Sequence, residues 1–216
     1  MAYKVDLHTH SILSYDGALR EEEYEKVLLL GKLDCIAITD HNGIEFAQKL
    51  KRRFKRKIIV GEEIDTKQGQ IIGLFLKEKI APGFSAKEAA EAVRSQGGLV
   101  YIPHPLEVWP NSMQLSALIA LKHYIDIIEV FNARGRFKGK PKEVLRFATE
   151  QSFAMAASSD SHGIGAIGSA FSKISDIPTN KNLVALLREA TYQKRYAPLY
   201  TYFYPRWNKF KKIFGI

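Results

Sequence analysis

The chain has little that would cross-link it or place it in a membrane. It contains a single cysteine, Cys35, so an internal disulfide is impossible. Its sequence has no stretch that approaches the roughly 18 apolar residues of a membrane-spanning helix. Residues 1–6 also lack the charged lead and apolar stretch of a secretion signal. We therefore expect a protein of the reducing cytoplasm, with no transmembrane segment.

Several sequence signatures of catalysis are also missing. The chain has no Gly-x-Ser-x-Gly elbow, no Gly-x-x-x-x-Gly-Lys phosphate loop and no Cys-x-x-Cys pair. Cys35 lies in an apolar run with no histidine beside it in the sequence, which argues against a thiol nucleophile. Serine, thiol and phosphate-loop chemistries therefore fit this sequence poorly.

The composition is that of an ordinary globular domain with an excess of positive charge. The 216 residues are 46% hydrophobic and 25% charged, so the chain can bury a core without a disulfide or a structural metal. Lys and Arg number 32 against 23 Asp and Glu, which gives a formal net charge of +9. This balance favours anionic partners: phosphorylated metabolites, nucleic acid or acidic lipid.

Short β-branched runs alternate with helical patterns along the chain. The strand candidates are Lys4–Leu7, Cys35–Thr39, Ile58–Val60, Ile71–Leu76, Leu99–Ile102, Asp126–Phe131 and Phe153–Ala157. The helix candidates are Glu21–Leu30, Ile44–Arg53, Ala86–Gln96, Leu115–Lys122, Lys142–Gln151 and Asn182–Ala190. This alternation predicts parallel strands with helical crossovers. The nearly continuous apolar strands indicate cover on both faces, as in a barrel or a doubly wound sheet.

Most of the histidines follow predicted strands, and acidic side chains accompany them. The five in question are His8, His10, His41, His104 and His162. Metal-type ligands at the carboxyl ends of many strands are typical of a barrel active site, which favours the barrel. Imidazoles and carboxylates suit zinc, manganese or iron, and so many ligands exceed one tetrahedral shell. We therefore predict two to three divalent ions.

Seven short motifs carry a resemblance to a known family. They are Asp6-Leu7-His8-Thr9-His10-Ser11, Tyr15-Asp16-Gly17, Ile38-Thr39-Asp40-His41-Asn42, Gly61-Glu62-Glu63, His104-Pro105, Glu129-Val130-Phe131-Asn132-Ala133-Arg134 and Ser159-Asp160-Ser161-His162. In this order they resemble the PHP (polymerase and histidinol phosphatase) superfamily, and most closely its stand-alone metal-dependent phosphoesterases. The resemblance implies a distorted seven-stranded (β/α)7 barrel with up to three divalent ions.

The resemblance also implies which residues hold the ions. The first ion would be held by His8, His10, Glu63 and Asp160. The second would be held by Glu63 and His104, with a further ligand from the strand around Glu129–Asn132. The third would be held by Asp16, His41 and His162. The family pattern Gly-x-Glu selects Glu63, yet Glu62 is an alternative, since only one of two neighbours in a strand can face the cluster.

The supporting residues follow from the same motifs. Asp40 and Glu129 are expected to orient ligands by accepting hydrogen bonds rather than to bind metal. Arg134 and Asn132 are expected to bind substrate, although Arg134 is equally well placed to be a surface arginine of an exposed basic loop. One departure concerns Ala166, which stands where related phosphoesterases often carry an acidic residue.

These features predict hydrolysis of a phosphomonoester or phosphodiester by a hydroxide that bridges two ions, with Glu63, Asp160 and Arg134 as catalytic residues. The substrate would be a nucleotide, a short oligonucleotide or a small phosphorylated metabolite. Two alternatives remain: a metal-containing nucleic-acid-binding module with little or no catalysis, and a metal-dependent hydrolase of another bond.

We expect the chain to divide into a PHP metal-dependent hydrolase domain, residues 1–191, and a basic aromatic C-terminal segment, residues 192–216. The segment holds nine of the 24 aromatic residues, interleaved with lysine and arginine. Its side chains could stack on single-stranded nucleic acid, pack against the barrel, or meet a membrane or partner surface.

Overall fold

The computed structural model describes residues 2–108 and 111–215, which contain nine strands and seven α-helices. The strands are β1 (Tyr3–Asp6), β2 (Cys35–Ile38), β3 (Ile58–Thr66), β4 (Gly69–Leu74), β5 (Leu99–Ile102), β6 (Ile127–Asn132), β7 (Ala154–Ser158), β8 (Ala170–Ile174) and β9 (Thr191–Lys194). The helices are α1 (Glu21–Leu29), α2 (Glu45–Phe54), α3 (Ala86–Ser95), α4 (Leu115–Leu121), α5 (Pro141–Glu150), α6 (Leu183–Arg188) and α7 (Tyr204–Phe214). None of these helices is both long and apolar enough to cross a bilayer.

Local sequence signals set several of the helix limits. The Ser85 hydroxyl accepts a hydrogen bond from the Glu88 backbone amide, and the Glu88 carboxylate accepts one from the Ser85 backbone amide. These two bonds satisfy two of the free amide donors at the start of α3. Gly97, with φ 75°, follows the end of the same helix. Pro141 opens α5, where a missing amide hydrogen is no loss.

All strands belong to one sheet of the order β7-β6-β5-β4-β3-β2-β1-β8-β9. The pairs β1–β2, β2–β3, β5–β6 and β6–β7 are parallel, as the alternation of elements predicts. The prediction of parallel strands is wrong for β4, which runs antiparallel to both β3 and β5. Only residues 67–68 separate β3 from β4, and so short a link permits a hairpin but no crossover.

The sheet curls until its ends approach each other, which makes a nearly closed barrel. Strand β7 packs against β8 and β9, and the Ala157 amide donates to the Ser172 hydroxyl at 3.1 Å. The α/β barrel expected from the sequence is confirmed at this level, but the sheet has nine strands rather than seven among the described residues. The two extra strands, β8 and β9, are antiparallel additions after β7.

Two apolar layers lie on the two sides of the sheet. Alternate residues of the strands, such as Val5, Ala37, Ile72 and Tyr101, form an inner cluster. Their neighbours, such as Ile36 and Ile128, pack outward with the helices. Because both faces are filled, the polar residues that follow the strands collect at the carboxyl edge of the barrel.

Candidate metal centre

The eight predicted metal ligands come together at the carboxyl edge of the barrel. They are His8, His10, Asp16, His41, Glu63, His104, Asp160 and His162, and all are buried or nearly so. Three overlapping groups have ligand atoms within 4.8 Å of one another. These groups are His10, Asp16, His41 and His162; His8, His10 and Glu63; and His8, His104 and Asp160. Residues from strands far apart in sequence therefore share one small volume.

Glu63 lies at the centre of the cluster. Its Oε2 is 3.4 Å from His8 Nε2, 3.3 Å from His10 Nε2 and 3.3 Å from His41 Nδ1. Its Oε1 is 3.0 Å from His104 Nε2. The two oxygens thus reach different histidines, which is the geometry of a carboxylate that can bridge two ions.

Glu62 points away from the cluster, as alternation along a strand requires. One of its oxygens accepts a hydrogen bond from the Ile80 amide at 2.8 Å, and burial raises the pKa of its carboxyl to about 7. The choice left open between the two neighbours is therefore decided by orientation, because only Glu63 faces the histidines.

The first two histidines of the chain lie side by side. His8 Nε2 and His10 Nε2 are 3.1 Å apart, which follows from their spacing of two on extended backbone. Asp160 Oδ1 is 3.5 Å from the His8 nitrogen and 3.4 Å from the His10 nitrogen. Two nitrogens and two carboxylates thus converge on one point.

A second part of the cluster forms around Asp16. Its Oδ2 is 3.1 Å from His162 Nε2 and 3.5 Å from His41 Nε2. The ring of His10 lies between the rings of His41 and His162, with centroids 4.7 and 4.2 Å away. The Asp16 group is therefore continuous with the group around Glu63.

Two of the predicted ligands have a left-handed backbone conformation, which is uncommon outside glycine. His104 has φ 30° and Asp160 has φ 48°, both in the left-handed region. Such conformations cost on the order of 1–3 kcal/mol each and persist only where the surroundings impose them. They turn the chain just after β5 and β7, which brings both side chains over the end of the barrel.

Strand β6 supplies two polar residues that face the cluster, and a β-bulge between Glu129 and Phe131 makes this possible. The extra residue brings Glu129 and Asn132 to the same side, where the Asn132 amide donates to Glu129 Oε2 at 2.9 Å. The Glu129 carboxylate also accepts from the Tyr101 hydroxyl and the His104 amide, and it lies 3.3 Å from His8 Nδ1. Its oxygens are therefore engaged in positioning the histidines.

Asp40 supports the site from a different direction. Both of its oxygens accept hydrogen bonds from Ser11, one from the amide and one from the hydroxyl. Burial raises the pKa of this carboxyl to about 6. Asp40 thus holds the turn after His10, whereas the sequence suggested that it orients a histidine.

Arg134 reaches the cluster rather than the solvent. Its Nη1 lies 3.3 Å from Asp160 Oδ2 and 3.1 Å from His162 Nδ1, and only 15% of its side chain is exposed. Asn132 bonds to the same region. Its side-chain amide nitrogen is 3.2 Å from Asp160 Oδ2, and its side-chain oxygen accepts a hydrogen bond from the Arg134 backbone amide. Of the two placements the sequence allowed for Arg134, the structure has the one at the site.

The electrostatics of the cluster suit cations. Burial opposes ionisation of Glu63 and Asp160, but neighbouring imidazoles, and Arg134 in the case of Asp160, hold both pKa values well below their usual range. Burial lowers the pKa of His10 to about 3, with His162 adding to the shift, which keeps its nitrogens available. The pKa of His8 is well above its usual range, because three carboxylates outweigh burial. Converging carboxylates that raise the pKa of a buried histidine are a donor set that divalent ions would satisfy.

A cleft of about 440 Å³ opens onto the cluster. Sequence reasoning missed Tyr15 and Gln70 among its lining residues, and it offered Arg206 and Lys209 only as cations of the C-terminal segment, residues 192–216. The Tyr15 ring stacks on His41 with centroids 4.7 Å apart, and its place beside Asp16 in a motif was the only signal for it. His123, the sixth histidine, is exposed and belongs to none of the three ligand groups.

Comparisons with known proteins agree with this architecture. Residues 142–192 match the family model described as PHP-associated. The uncharacterized protein MJ0417 of Methanocaldococcus jannaschii is 37% identical over 183 residues, which cover 82% of this chain and 73% of that protein. The chain belongs to the PHP (polymerase and histidinol phosphatase) superfamily.

Solved structures share the fold at low sequence identity. A two-domain protein of Bacteroides vulgatus that contains a predicted PHP-like metal-dependent phosphoesterase superposes with a TM-score of 0.70 at 18% identity. The match covers 90% of this chain and 65% of that one, so the chain spans just under two thirds of its length. The lesion-specific Endonuclease Q of Pyrococcus furiosus matches with a TM-score of 0.62 at 14% identity, over 89% of this chain and 57% of that one.

Proposed function

We propose that this protein is a metal-dependent phosphoric ester hydrolase. Its substrate would be a phosphomonoester or phosphodiester of a nucleotide, a short oligonucleotide or a small phosphorylated metabolite. The observation that carries the proposal is the convergence of five histidines and three carboxylates on one cleft, with Arg134 beside them. The Bacteroides and Pyrococcus structures, described as a predicted phosphoesterase and an endonuclease, support phosphate chemistry.

The donor set fits two to three divalent ions. Imidazole nitrogens and carboxylate oxygens suit manganese, zinc or iron, and Glu63 can serve two positions. His8, His10, Glu63 and Asp160 would form one position, and Asp16, His41 and His162 another, while His104 would share Glu63. Bound ions would polarise the phosphoryl oxygens and lower the pKa of a water molecule.

The chain's own residues have distinct tasks in this reaction. Arg134 can donate to the non-bridging oxygens, where negative charge grows as water adds to phosphorus and the ester P–O bond breaks. Asn132 fixes the Arg134 backbone through its side-chain oxygen and holds Asp160 through its amide. Glu129 holds the His8 ring, and Asp40 holds the turn after His10. The leaving alcohol departs with the proton that the attacking water gives up, and the remaining hydroxyl stays on phosphorus.

Phosphate release by the manganese-loaded protein tests the proposal. The panel would contain mononucleotides, 3′,5′-bisphosphates, sugar phosphates and 5′-phosphorylated oligonucleotides. Asp160→Ala and His41→Ala should each abolish release and reduce bound metal, while the exposed His123→Ala is the matched control. Full metal content and full activity in Asp160→Ala would refute the assignment. No release by a wild-type protein shown to hold its metals would favour a nucleic-acid-binding module or a different bond.

A further inference from the structure

Helix α7 is a fixed wall of the cleft. Asn208 on this helix is buried, and its amide donates to the backbone oxygens of Asp16 at 2.9 Å and His162 at 3.0 Å. The Lys212 ammonium donates to the carbonyls of Ile12 at 2.7 Å and Gly17 at 2.8 Å. The helix is thus tied to the chain segments that carry the Asp16 part of the cluster.

The face of α7 toward the cleft is cationic. Arg206 and Lys209 line the cleft with Arg134 and Lys138, and the helix contains no acidic residue. Lys138 pairs with Glu107 at 2.9 Å. No carboxylate of the described residues forms an ion pair with Arg206 or Lys209. Arg206 and Lys209 therefore face the cleft without an acidic partner. They add to the positive charge of Arg134, which already contacts the cluster.

The cleft continues past the cluster along the helix. A second cavity of about 380 Å³ is lined by Tyr15, Lys209, Lys212 and Ile213. It shares Tyr15 and Lys209 with the cleft over the metal ligands, so the two cavities adjoin at these residues, and together they are called the groove. Tyr15 is 44% exposed at this junction, and the Lys209 ammonium lies 5.4 Å from its ring centroid. A substrate with a single phosphate at the cluster would leave most of this groove unused.

We propose that Tyr15, Arg206 and Lys209 form a subsite for the nucleotide adjacent to the one whose phosphate lies at the cluster. In this subsite the two cations hold a second backbone phosphate. A base takes the place over the Tyr15 ring that the Lys209 ammonium holds in the structure, and that ammonium turns to the phosphate. Cations that follow the backbone and aromatics that stack on bases are the general means of binding single strands. The ligand is therefore a single-stranded nucleic acid. This inference rests on the proposed function, and it selects among the substrates that the function allows.

Equilibrium binding tests the subsite without requiring turnover. A fluorescent single-stranded octanucleotide is titrated with manganese-loaded protein at several salt concentrations. Arg206→Ala/Lys209→Ala should weaken binding by about tenfold or more. It should also reduce the slope of log K against log salt by about 0.7, the contribution of one phosphate contact on a single strand. Tyr15→Leu should weaken binding by at least about fivefold, and Tyr15→Phe should retain it.

The matched control removes the same charge from outside the groove. Lys194→Ala/Lys211→Ala lowers the net charge equally but changes no residue that lines either cavity. Circular dichroism and melting temperature confirm that each variant is folded. An equal loss of affinity in the control would mean that binding reflects only general electrostatic attraction, which would overturn the subsite. So would an octanucleotide that binds no better than a mononucleotide, or α7-dependent binding to anionic vesicles without binding to the oligonucleotide.

Turnover separates the two proposals. If the wild-type protein releases phosphate from oligonucleotides, the loss of kcat/KM in Arg206→Ala/Lys209→Ala should be at least about tenfold larger for oligonucleotides than for p-nitrophenyl phosphate. Equal losses for both substrates would overturn the subsite and leave the hydrolase intact. Binding with the expected salt slope but no phosphate release from any substrate would support the subsite and refute the hydrolase.

Discussion

Arg134 is the single charged side chain whose loss we expect to be most specific to the reaction. It contacts Asp160 and His162 but is partly open to the cleft, so it can serve the site and a phosphate together. Arg134→Ala should lower kcat by about 10²–10³-fold, the usual effect of removing a donor to a developing oxyanion. Arg134→Lys should restore only part of the rate, because lysine lacks the bidentate fork.

Exposed Arg136, two residues further, is the matched control, since it lies over the Tyr196 ring instead. Steady-state kinetics on the best substrate of the panel would measure both. An Arg136→Ala loss as large as that of Arg134→Ala would contradict the role assigned to Arg134.

Ala166 fills a position where an acidic side chain would be buried. Its side chain lies in a cluster whose fully buried members are all alanines, with three aromatic residues packed against them: Ala133, Ala157, Ala166, Ala170 and Ala197, and Phe131, Tyr192 and Tyr202. Ala166→Asp should lower the free energy of unfolding by about 2–4 kcal/mol, because it overpacks this cluster and buries an unpaired carboxyl. Denaturant unfolding would measure the loss.

Exposed Ala81→Asp is the control for this change, and we expect an effect within about 0.5 kcal/mol. If Ala166→Asp left stability unchanged and raised activity, Ala166 would be a lost catalytic position rather than a packing residue.

Individual residues differ in how far the sequence reveals them. The histidines of the cluster could be found because they follow predicted strands, so their proximity is a consequence of a barrel. Asp16 lies well past β1 and was found only through the motif Tyr15-Asp16-Gly17. Asn208 could not be found, because its partners Asp16 and His162 are 192 and 46 residues away and its own neighbours give no pattern. The choice of Glu63 over Glu62 needed the orientation of β3.

Helix α7 is the element on which the Asp16 part of the cluster depends. Asn208→Ala would leave two backbone carbonyls near the ligands without their donor, at a cost of about 1–3 kcal/mol. We expect a lower metal-to-protein ratio as well as a lower melting temperature. Elemental analysis after dialysis against limiting manganese would measure the ratio.

The neighbouring Trp207→Ala is the control on the same helix, because Trp207 is 57% exposed. Should both variants retain equal metal and lose equal stability, α7 would contribute to packing alone and would not position the ligands.

The two strands after β7 show where sequence patterns fail at the scale of elements. The nearly continuous apolar runs of β2 or β5 identify strands covered on both faces. Strand β9 is half-exposed along its length, with neither an apolar run nor an apolar alternation. Its place is set by pairing with β8, which is a tertiary contact. The antiparallel β4, in contrast, was predictable as a strand but not in direction.

The barrel as a whole protects its one thiol. Cys35 lies in β2, buried among the inner apolar residues, and burial raises the pKa of the thiol to about 12. Because the thiol pKa is higher in the folded state than the unfolded value of 9.0, burial of the neutral thiol contributes to the free energy of unfolding. This contribution is complete below pH 9.0 and is lost as the pH rises through about 12. At pH 8 the thiol should therefore react with a maleimide only when the whole domain unfolds.

Divalent ions should slow this reaction, because they bind the folded state alone. At 100 times the dissociation constant, one ion adds about 2.7 kcal/mol, so labelling should slow by roughly 100-fold. Mass spectrometry of the labelled fraction over time, with manganese or with a chelator, gives the two rates. Equal rates would mean that the cluster does not bind ions in the folded protein.

The ties between α7 and the segment around Asp16 join residues that are about as far apart as this chain permits. Lys212 and Ile12 are separated by 200 positions. A further buried contact, from the Ser159 amide to Asp6, spans 153 positions. Loops of this size close late in folding, after local contacts have formed. During synthesis the Asp16 segment would have to wait, unsupported, until the ribosome has released residue 212. The groove over the cluster is consequently among the last parts of the domain to take shape.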